Sequence, residues 1–249
     1  MKVLITGASS GLGRDMARIL HKSGHDLILV ARREDMLFEL KKELDDAPDI
    51  ITLDLSKTEN CIDLYERLKD QNIDVLINNA GFGVFGDFLS TDLDREMEML
   101  DVNIKALHIL TKKFLKDFVK RDSGYIMNVA SSAAFLPGPL LSSYYASKAY
   151  VQRLTLAIHE ELRRKKSHVR VSVLCPGPVD TEFNKVAGVS FNLKSLTSED
   201  VSRFALFKMF KGRLVIIPGL IIRLGVFFQR FLPNKLLLKI SYNIQKSKG

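Results

Sequence analysis

The sequence predicts an α/β fold with a doubly wound, seven-stranded parallel sheet and helices on both of its faces. Three observations predict it. Short apolar runs alternate with longer amphipathic runs along the chain. The apolar runs are continuous, which is typical of strands buried on both faces. A glycine-rich turn follows the first of them. Right-handed crossovers between such strands place helices on both faces of the sheet.

Each expected element corresponds to one of these runs, in chain order. The strands are the apolar runs at 3–5, 27–30, 50–53, 75–77, 125–129, 169–174 and 214–217. The helices are the longer amphipathic runs near 12–21, 33–45, 59–70, 92–121, 142–165 and 198–210. Ligands of doubly wound sheets bind outside the carboxyl ends of the strands, so we expect the functional site there.

The composition suits one domain over residues 1–249, because 46% of the residues are hydrophobic and 27% are charged. Cys61 and Cys175 are far apart and neither belongs to a Cys-x-x-Cys pair, so a disulfide framework is not expected and a reducing, cytoplasmic compartment fits. The five histidines show no ligand spacing. We therefore expect no metal site, and we expect no signal peptide at this N-terminus.

The charge is distributed unevenly along the chain. Residues 1–200 carry a formal charge of −2, whereas the segment from Val201 onward carries ten Lys or Arg and no acid, which accounts for the net +8. This asymmetry indicates an anionic partner for the C-terminal segment rather than a basic protein throughout, and we expect no nucleic-acid partner.

The glycine-rich turn predicts a dinucleotide site. It lies between the first strand and the first helix and has the spacing Gly-x-x-x-Gly-x-Gly, a variant of the usual fingerprint. Glycine lets the backbone approach a pyrophosphate, and the helix N-terminus offers N–H donors to it. The candidate binding residues are Gly7, Ser9, Ser10, Gly11, Leu12 and Gly13.

The end of the second strand predicts which dinucleotide binds. An NAD site usually has an acidic side chain there for the ribose hydroxyls, whereas arginine suits a 2′-phosphate. Here Arg32 and Arg33 follow the strand, and Arg32 can form a charge-assisted hydrogen bond to that phosphate. The sequence therefore favours NADP(H). The alternative is a solvated basic start of the next helix.

The third and fourth strands end in further candidate residues. Asp54 and Leu55 end the third strand, where the carboxylate could accept from an adenine amine or equally cap the next helix. After the fourth strand, Asn79, Ala80 and Gly81 would let the backbone pass close to the cofactor ribose, although a simple turn would use the same residues.

A Tyr-x-x-x-Lys pair provides candidate catalytic groups. Tyr144 and Lys148 are four residues apart, so a helix would bring them to one face. A free phenol has a pKa of about 10, and a nearby cation would lower that pKa towards the range useful for proton transfer to a carbonyl oxygen. Alone the pattern is common, and an exposed lysine beside a packed tyrosine is the alternative.

Together these residues resemble the classical short-chain dehydrogenase/reductase family over about residues 1–190. The resemblance implies a Rossmann-type fold and an NADP(H)-dependent carbonyl reductase or alcohol dehydrogenase that assembles as a homodimer or homotetramer. Its implied catalytic residues are Tyr144 for proton transfer, Lys148 on the nicotinamide ribose, Ser131 on the carbonyl oxygen and Asn103 holding a water. Further residues implied to contact the nicotinamide are Pro176, Gly177, Val179 and Thr181.

Two positions need a choice. Ser131 is preferred to Ser132 because the family usually sets serine thirteen residues before tyrosine, and Tyr144 is preferred to Tyr145 because only Tyr144 lies four residues before the lysine. The sequence shows no charged group that would clamp an anionic substrate, so an apolar carbonyl or alcohol is expected. Alternatives are a non-catalytic NADP-binding module, a membrane-surface module using the basic tail, and a sugar epimerase or dehydratase.

The C-terminal segment 220–249 departs from the family pattern. It is predicted to be an apolar and basic helical extension, with Arg223 and Arg230 seven residues apart on one helical face. It is too short and too charged to span a bilayer. A roof over an apolar substrate pocket is favoured, and an oligomer contact and an interfacial membrane helix are the alternatives.

Overall fold

The computed structural model describes residues 1–180, 182 and 196–246 of the chain. Nine strands lie in this described part. They are β1 (Lys2–Thr6), β2 (Asp26–Ala31), β3 (Asp49–Thr52), β4 (Val75–Asn78), β5 (Tyr125–Val129), β6 (Arg170–Leu174), β7 (Val179–Asp180), β8 (Leu196–Thr197) and β9 (Val215–Ile216).

The described helices alternate with these strands. They are α1 (Gly11–Lys22), α2 (Glu34–Glu43), α3 (Thr58–Leu68), α4 (Leu93–Leu100), α5 (Leu107–Lys120), α6 (Ser142–Arg164), α7 (Ser198–Phe210), α8 (Leu220–Phe228) and α9 (Asn234–Lys246). A π-helical turn, Asp101–Ala106, joins α4 to α5, and two short 3₁₀ turns occupy Ser132–Phe135 and Gln229–Phe231.

Seven strands form one parallel sheet in the order β3-β2-β1-β4-β5-β6-β9. The order reverses direction on either side of β1, which confirms the predicted doubly wound topology and leaves a crevice at the carboxyl ends of β1 and β4. The short strands β7 and β8 pair with each other as a separate, two-stranded sheet that sequence reasoning did not anticipate.

Both faces of the sheet are buried. On one face Val3 and Ile5 pack with residues of α1, α2 and α7, and on the other face Leu4 packs with residues of α3 and α5. Successive side chains of a strand point to opposite faces, so each central strand needs apolar residues throughout. Burial on both faces of the sheet explains why the strand sequences are continuous apolar runs.

Two differences from the expected elements concern the helices. The run near 92–121 is a continuous helical stretch with a π-helical turn at its centre. The C-terminal segment is two helices, because Pro233 cannot continue the first one, and Arg230 lies in the 3₁₀ turn after α8 rather than on the same α-helical face as Arg223. Among the described residues, none of the helices combines the length and apolar character needed to cross a bilayer.

Candidate functional site

A cleft of about 430 Å³ opens at the carboxyl ends of the parallel strands. It brings together residues that are scattered over most of the chain. The predicted site residues that line it are Gly7, Ser9, Ser10, Gly11, Leu12, Arg32, Arg33, Asp54, Leu55, Asn79, Ala80, Gly81, Ser131, Tyr144, Lys148, Pro176, Gly177 and Val179. Gly13 and Asn103 do not line the cleft, and Thr181 lies outside the described residues.

The glycine-rich turn is shaped by close backbone contacts. Gly7 has φ +65°, and a Cβ there would lie 2.7 Å from the Cα of Ala80. A Cβ on Gly13 would lie 2.3 Å from the carbonyl oxygen of Gly7, so Gly13 lets α1 pack onto the turn without itself reaching the cleft. The Asn79 amide donates to the carbonyl oxygens of Thr6 (3.1 Å) and Gly7 (3.0 Å). This cradle of bare backbone beside a helix N-terminus fits a pyrophosphate.

Two guanidinium groups stand at the end of β2. Arg32 forms an ion pair with Glu98 of α4, and Arg33 pairs with Glu182 at 2.8 Å while also donating to Ser9 Oγ at 3.2 Å. The Arg33 hydrogen bond lowers the pKa of Glu182. Both arginines are about half exposed, so an incoming anion can reach them. The two glutamates were not anticipated, because they are far from β2 in sequence.

Asp54 lines the cleft and also shapes a turn. Its carboxylate accepts a hydrogen bond from the backbone N–H of Ser56 at 3.0 Å. The residue that precedes α3 in the N-cap position is Lys57, so Asp54 does not cap that helix. Helix capping is therefore not the role of this carboxylate, and its contact with an adenine amine stays a prediction.

Tyr144 and Lys148 lie one turn apart on α6, and both are buried. The Lys148 ammonium is 5.8 Å from the centre of the Tyr144 ring and donates to the carbonyl oxygen of Val129 at 3.0 Å. The Ser131 hydroxyl hydrogen-bonds the Tyr144 phenol and accepts from the N–H of Ala133 at 3.1 Å. Three groups able to donate, accept or stabilise a proton thus converge at one end of the cleft.

Burial dominates the acid–base properties of this cluster. It raises the pKa of Tyr144 above its usual value of 10, and the hydrogen bond from Ser131 opposes this only in part. Burial also lowers the pKa of Lys148 to about 8. Desolvation of the phenolate is therefore the largest influence on the Tyr144 pKa, and the influence that opposes it is the Ser131 hydrogen bond.

Asn103 lies behind the cleft, fully buried in the π-helical turn. Its amide donates to the Phe82 carbonyl (3.0 Å) and to Ser147 Oγ (3.1 Å), and its oxygen accepts from the Phe82 N–H (3.1 Å). A Cβ on Gly81 would lie 2.7 Å from this oxygen and 3.2 Å from the Lys148 ammonium. Asn103 thus supports the wall, and Gly81 leaves room for both polar groups beside it.

The two adjacent serines, and likewise the two adjacent tyrosines, make different contacts. Ser131 bonds to Tyr144, whereas the backbone N–H of Ser132 donates to the Pro176 carbonyl oxygen at 2.7 Å. Tyr145 accepts from the Gln245 amide, and burial raises its pKa to about 12. The catalytic roles of Ser131 and Tyr144 stay a prediction. Further lining residues missed from sequence include Phe82, Arg95, Leu141 and Glu182.

The C-terminal helices support the cleft from outside. Ile222 of α8 packs against Gly177, where an added Cβ would lie 2.8 Å from its side chain. Among the described residues, none from 220–246 lines the cleft, so the expected roof is instead a support behind the wall. Within the same described part, no cluster of three or more His, Cys, Asp or Glu side chains could hold a metal ion.

Comparison with known proteins connects this geometry with a family. The family model described as short chain dehydrogenase matches residues 1–189. Dehydrogenase/reductase SDR family member 11 of Bos taurus is 32% identical, with 82% of this chain and 88% of that protein covered.

Solved structures show the same fold. A short-chain dehydrogenase from Sphingobium yanoikuyae in complex with NADPH superposes with a TM-score of 0.84 at 31% identity, covering 92% of this chain and 93% of that one. A short chain dehydrogenase/reductase from Burkholderia phymatum in complex with NAD has a TM-score of 0.84 at 24% identity, covering 92% of each chain, and shows the fold. This chain belongs to the classical short-chain dehydrogenase/reductase family and is an oxidoreductase that uses a nicotinamide cofactor.

Proposed function

We propose that the protein is an NADP(H)-dependent oxidoreductase that interconverts an apolar carbonyl compound and its alcohol. The observation that carries the proposal is the shape of one cleft: Ser131, Tyr144 and Lys148 meet at one end, and Arg32 and Arg33 stand at the other. The glycine-rich turn lies between them. A dinucleotide bound along this cleft supplies or accepts the hydride.

The protein's own groups handle the proton. Tyr144, held by Ser131, donates a proton to the carbonyl oxygen in reduction and accepts it in oxidation. Ser131 also offers its hydroxyl to the substrate oxygen. Lys148 provides a buried positive charge beside the phenol and binds the cofactor ribose. Asn103 maintains the wall next to Lys148 and, as the resemblance implies, holds a water that links the ammonium to solvent.

An apolar substrate agrees with the lining at the catalytic end. Phe82, Val102, Ala133, Leu141 and Tyr145 surround the tyrosine there. Arg95, which lies over the Phe82 ring at 4.1 Å, already pairs with Glu98. The lining therefore favours a ketone, an aldehyde or a secondary alcohol over a carboxylate or phosphate.

The preference for NADP(H) rests on the arginines at the end of β2. Arg32 and Arg33 can form charge-assisted hydrogen bonds to a 2′-phosphate, which NADPH carries and NADH lacks. Glu98 and Glu182 now hold these guanidinium groups and would share them with the phosphate. The Sphingobium relative bound to NADPH supports this assignment.

The experiment is a carbonyl panel of ketones and aldehydes in which oxidation of NADPH and NADH is followed separately. We expect turnover of apolar members with NADPH. Arg32→Asp is expected to weaken NADPH binding at least tenfold, about 1.4 kcal/mol, because it replaces a phosphate partner with a repelling charge. Arg67→Asp, on the surface of α3, is the control with the same charge change. Equal affinity of the wild type for both cofactors would contradict the NADP assignment.

Three organisational features complete the proposal. We propose that residues 1–249 act as one catalytic domain, since α8 packs on Gly177 in the wall of the cleft. A cytoplasmic location is supported by the two buried, free cysteines. Assembly as a homodimer or homotetramer is supported by the family resemblance.

A further inference from the structure

Helix α9 has its polar side towards the protein and its apolar side towards solvent. Ser241 and Gln245 are each only 2% exposed, although both side chains are polar. Leu236, Ile240 and Ile244, spaced four residues apart along one side of the same helix, are 39–49% exposed. A surface helix of a soluble domain normally shows the opposite arrangement, with its apolar stripe facing the core.

Hydrogen bonds hold α9 in this orientation. The Ser241 hydroxyl donates to the Pro137 carbonyl oxygen at 2.8 Å, and the Gln245 amide donates to the Tyr145 hydroxyl. Rotating the helix to bury its apolar side would break both hydrogen bonds and cover the Pro137 carbonyl oxygen and the Tyr145 hydroxyl with apolar side chains, which costs free energy for each group left without a partner. The outward apolar face is therefore fixed by the polar contacts on the inward face.

Helix α8 and the turn after it also expose apolar side chains. Ile222 and Val226 face the protein, while Ile221, Phe227 and Phe231 are 84%, 51% and 71% exposed. The rings of Phe227 and Phe231 contact each other edge to face at 5.7 Å. Exposed apolar areas of this kind mark surfaces that bind a partner or a membrane.

Positive charge is interspersed with these apolar side chains. Five exposed basic residues occur in the segment 220–246, which contains no acidic residue: Arg223, Arg230, Lys235, Lys239 and Lys246. Long basic side chains can extend their charge to the headgroups while apolar neighbours enter the acyl boundary. The combination is complementary to a surface that is apolar inside and anionic outside.

We propose that α8 and α9 form a docking surface for an anionic lipid membrane, with both helices lying in the plane of the interface. A second copy of the chain fits this surface less well. Pairing two such faces would bring ten basic residues together without any acid from either segment. An anionic bilayer supplies the opposite charge and an apolar layer at once. The proposal rests on surface chemistry and is independent of the proposed reaction.

Vesicle flotation with the purified full-length protein tests the proposal. Vesicles of phosphatidylcholine alone are compared with vesicles containing about one-third phosphatidylserine. We expect binding to the anionic vesicles and at least tenfold weaker binding to the neutral ones. Lys235→Glu/Lys239→Glu is expected to lower the partition coefficient into anionic vesicles at least roughly 30-fold, because each basic residue near an anionic membrane contributes about 1 kcal/mol of binding free energy. Lys112→Glu/Lys116→Glu on α5 changes the net charge equally and should bind as wild type.

A second variant pair tests the apolar part. Phe227→Ser/Phe231→Ser should reduce vesicle binding at least tenfold, whereas Phe38→Ser/Phe207→Ser removes two comparably exposed rings from α2 and α7 and should not. All four side chains are exposed, so folding should be kept, and NADPH binding and the melting temperature verify this.

Three outcomes overturn the proposal. One is failure of the folded wild type to float with anionic vesicles. Another is equal loss of binding in the α5 control, which would show a general charge effect. If light scattering instead shows a dimer that Phe227→Ser/Phe231→Ser dissociates, the surface is an interface between copies, and the lipid assignment is wrong.

Discussion

At the scale of single residues, the environment decides the chemistry of Tyr144 and Lys148. Both are buried, and desolvation disfavours each charged form, so the phenol pKa is raised while the ammonium pKa is lowered to about 8. The raised pKa keeps the phenol protonated, which is the form that the proposed carbonyl reduction would need. In that proposal the Ser131 hydrogen bond holds the hydroxyl in position for proton transfer.

The first prediction concerns this hydroxyl. Tyr144→Phe should lower kcat for carbonyl reduction by roughly 100- to 10,000-fold, the usual contribution of a general acid. NADPH affinity should stay nearly unchanged because the ring still packs against Tyr145. Steady-state kinetics and NADPH fluorescence titration measure the two effects. Tyr145→Phe is the matched control, and a Tyr144→Phe enzyme that keeps more than about a tenth of the wild-type kcat would remove Tyr144 from this role.

The second prediction concerns pH. Lys148 loses its charge as the pH rises through its pKa of about 8, whereas Tyr144, with its raised pKa, stays protonated there. The value of kcat/KM for reduction should then be level at neutral pH and fall by up to about tenfold per pH unit above pH 8.

The matched variant for this pH profile is Lys148→Arg. Its guanidinium keeps its charge to pH values above about 12, so whatever activity remains should not fall near pH 8. An unchanged falling limb in Lys148→Arg would assign it to another group.

At the scale of elements, α9 supports the wall of the cleft through buried polar groups. Ser241 contacts the loop 137–141, and Gln245 contacts Tyr145, the neighbour of Tyr144. A helix docked by hydrogen bonds depends on each of them, since a carbonyl oxygen left buried without a donor costs about 1–3 kcal/mol.

The third prediction follows from this docking. Ser241→Ala should raise the KM for apolar carbonyl substrates several-fold, because loosening α9 relaxes the loop 137–141 beside Tyr144. The dissociation constant of NADPH should not change, since the glycine-rich turn and the arginines are elsewhere in the cleft. Kinetics and titration separate the two. Asn243→Ala, an exposed position on the same helix, is the control, and an unchanged KM in Ser241→Ala would contradict the supporting role of α9.

At the scale of the whole molecule, one buried polar network joins the sheet to the helices that carry the site. Asn128 on β5 accepts from Asn78 on β4 (2.9 Å) and from Thr111 on α5 (3.2 Å), and it donates to Thr155 on α6 (3.0 Å). The network sets the position of α6 relative to the two central strands. It therefore links global stability to the placement of Tyr144 on α6.

The fourth prediction tests this network. Asn128→Ala removes three buried hydrogen bonds and should lower the free energy of unfolding by about 3 kcal/mol, at about 1 kcal/mol per bond. Urea denaturation followed by circular dichroism measures the change, and Asn243→Ala should stay within about 0.5 kcal/mol of wild type. A loss below about 1 kcal/mol in Asn128→Ala would show that the network adds little to stability.

The sequence by itself determined the parallel α/β sheet, the glycine-rich turn and the Tyr144–Lys148 pair. These features are local: strand burial leaves continuous apolar runs, tight turns need glycine, and a helix brings residues four apart to one face. The family resemblance added Ser131 and Asn103, and the structure brings Ser131 to the phenol.

Only the tertiary structure decided what depends on distant residues. Glu98 and Glu182 pair with the two arginines that follow β2, burial raises the Tyr144 pKa, and α9 turns Ser241 and Gln245 inward. Periodicity shows that a helix is amphipathic, but it does not show which side the protein will cover. That choice depends on the donors and acceptors of the surface beneath, which in α9 are the Pro137 carbonyl and the Tyr145 hydroxyl.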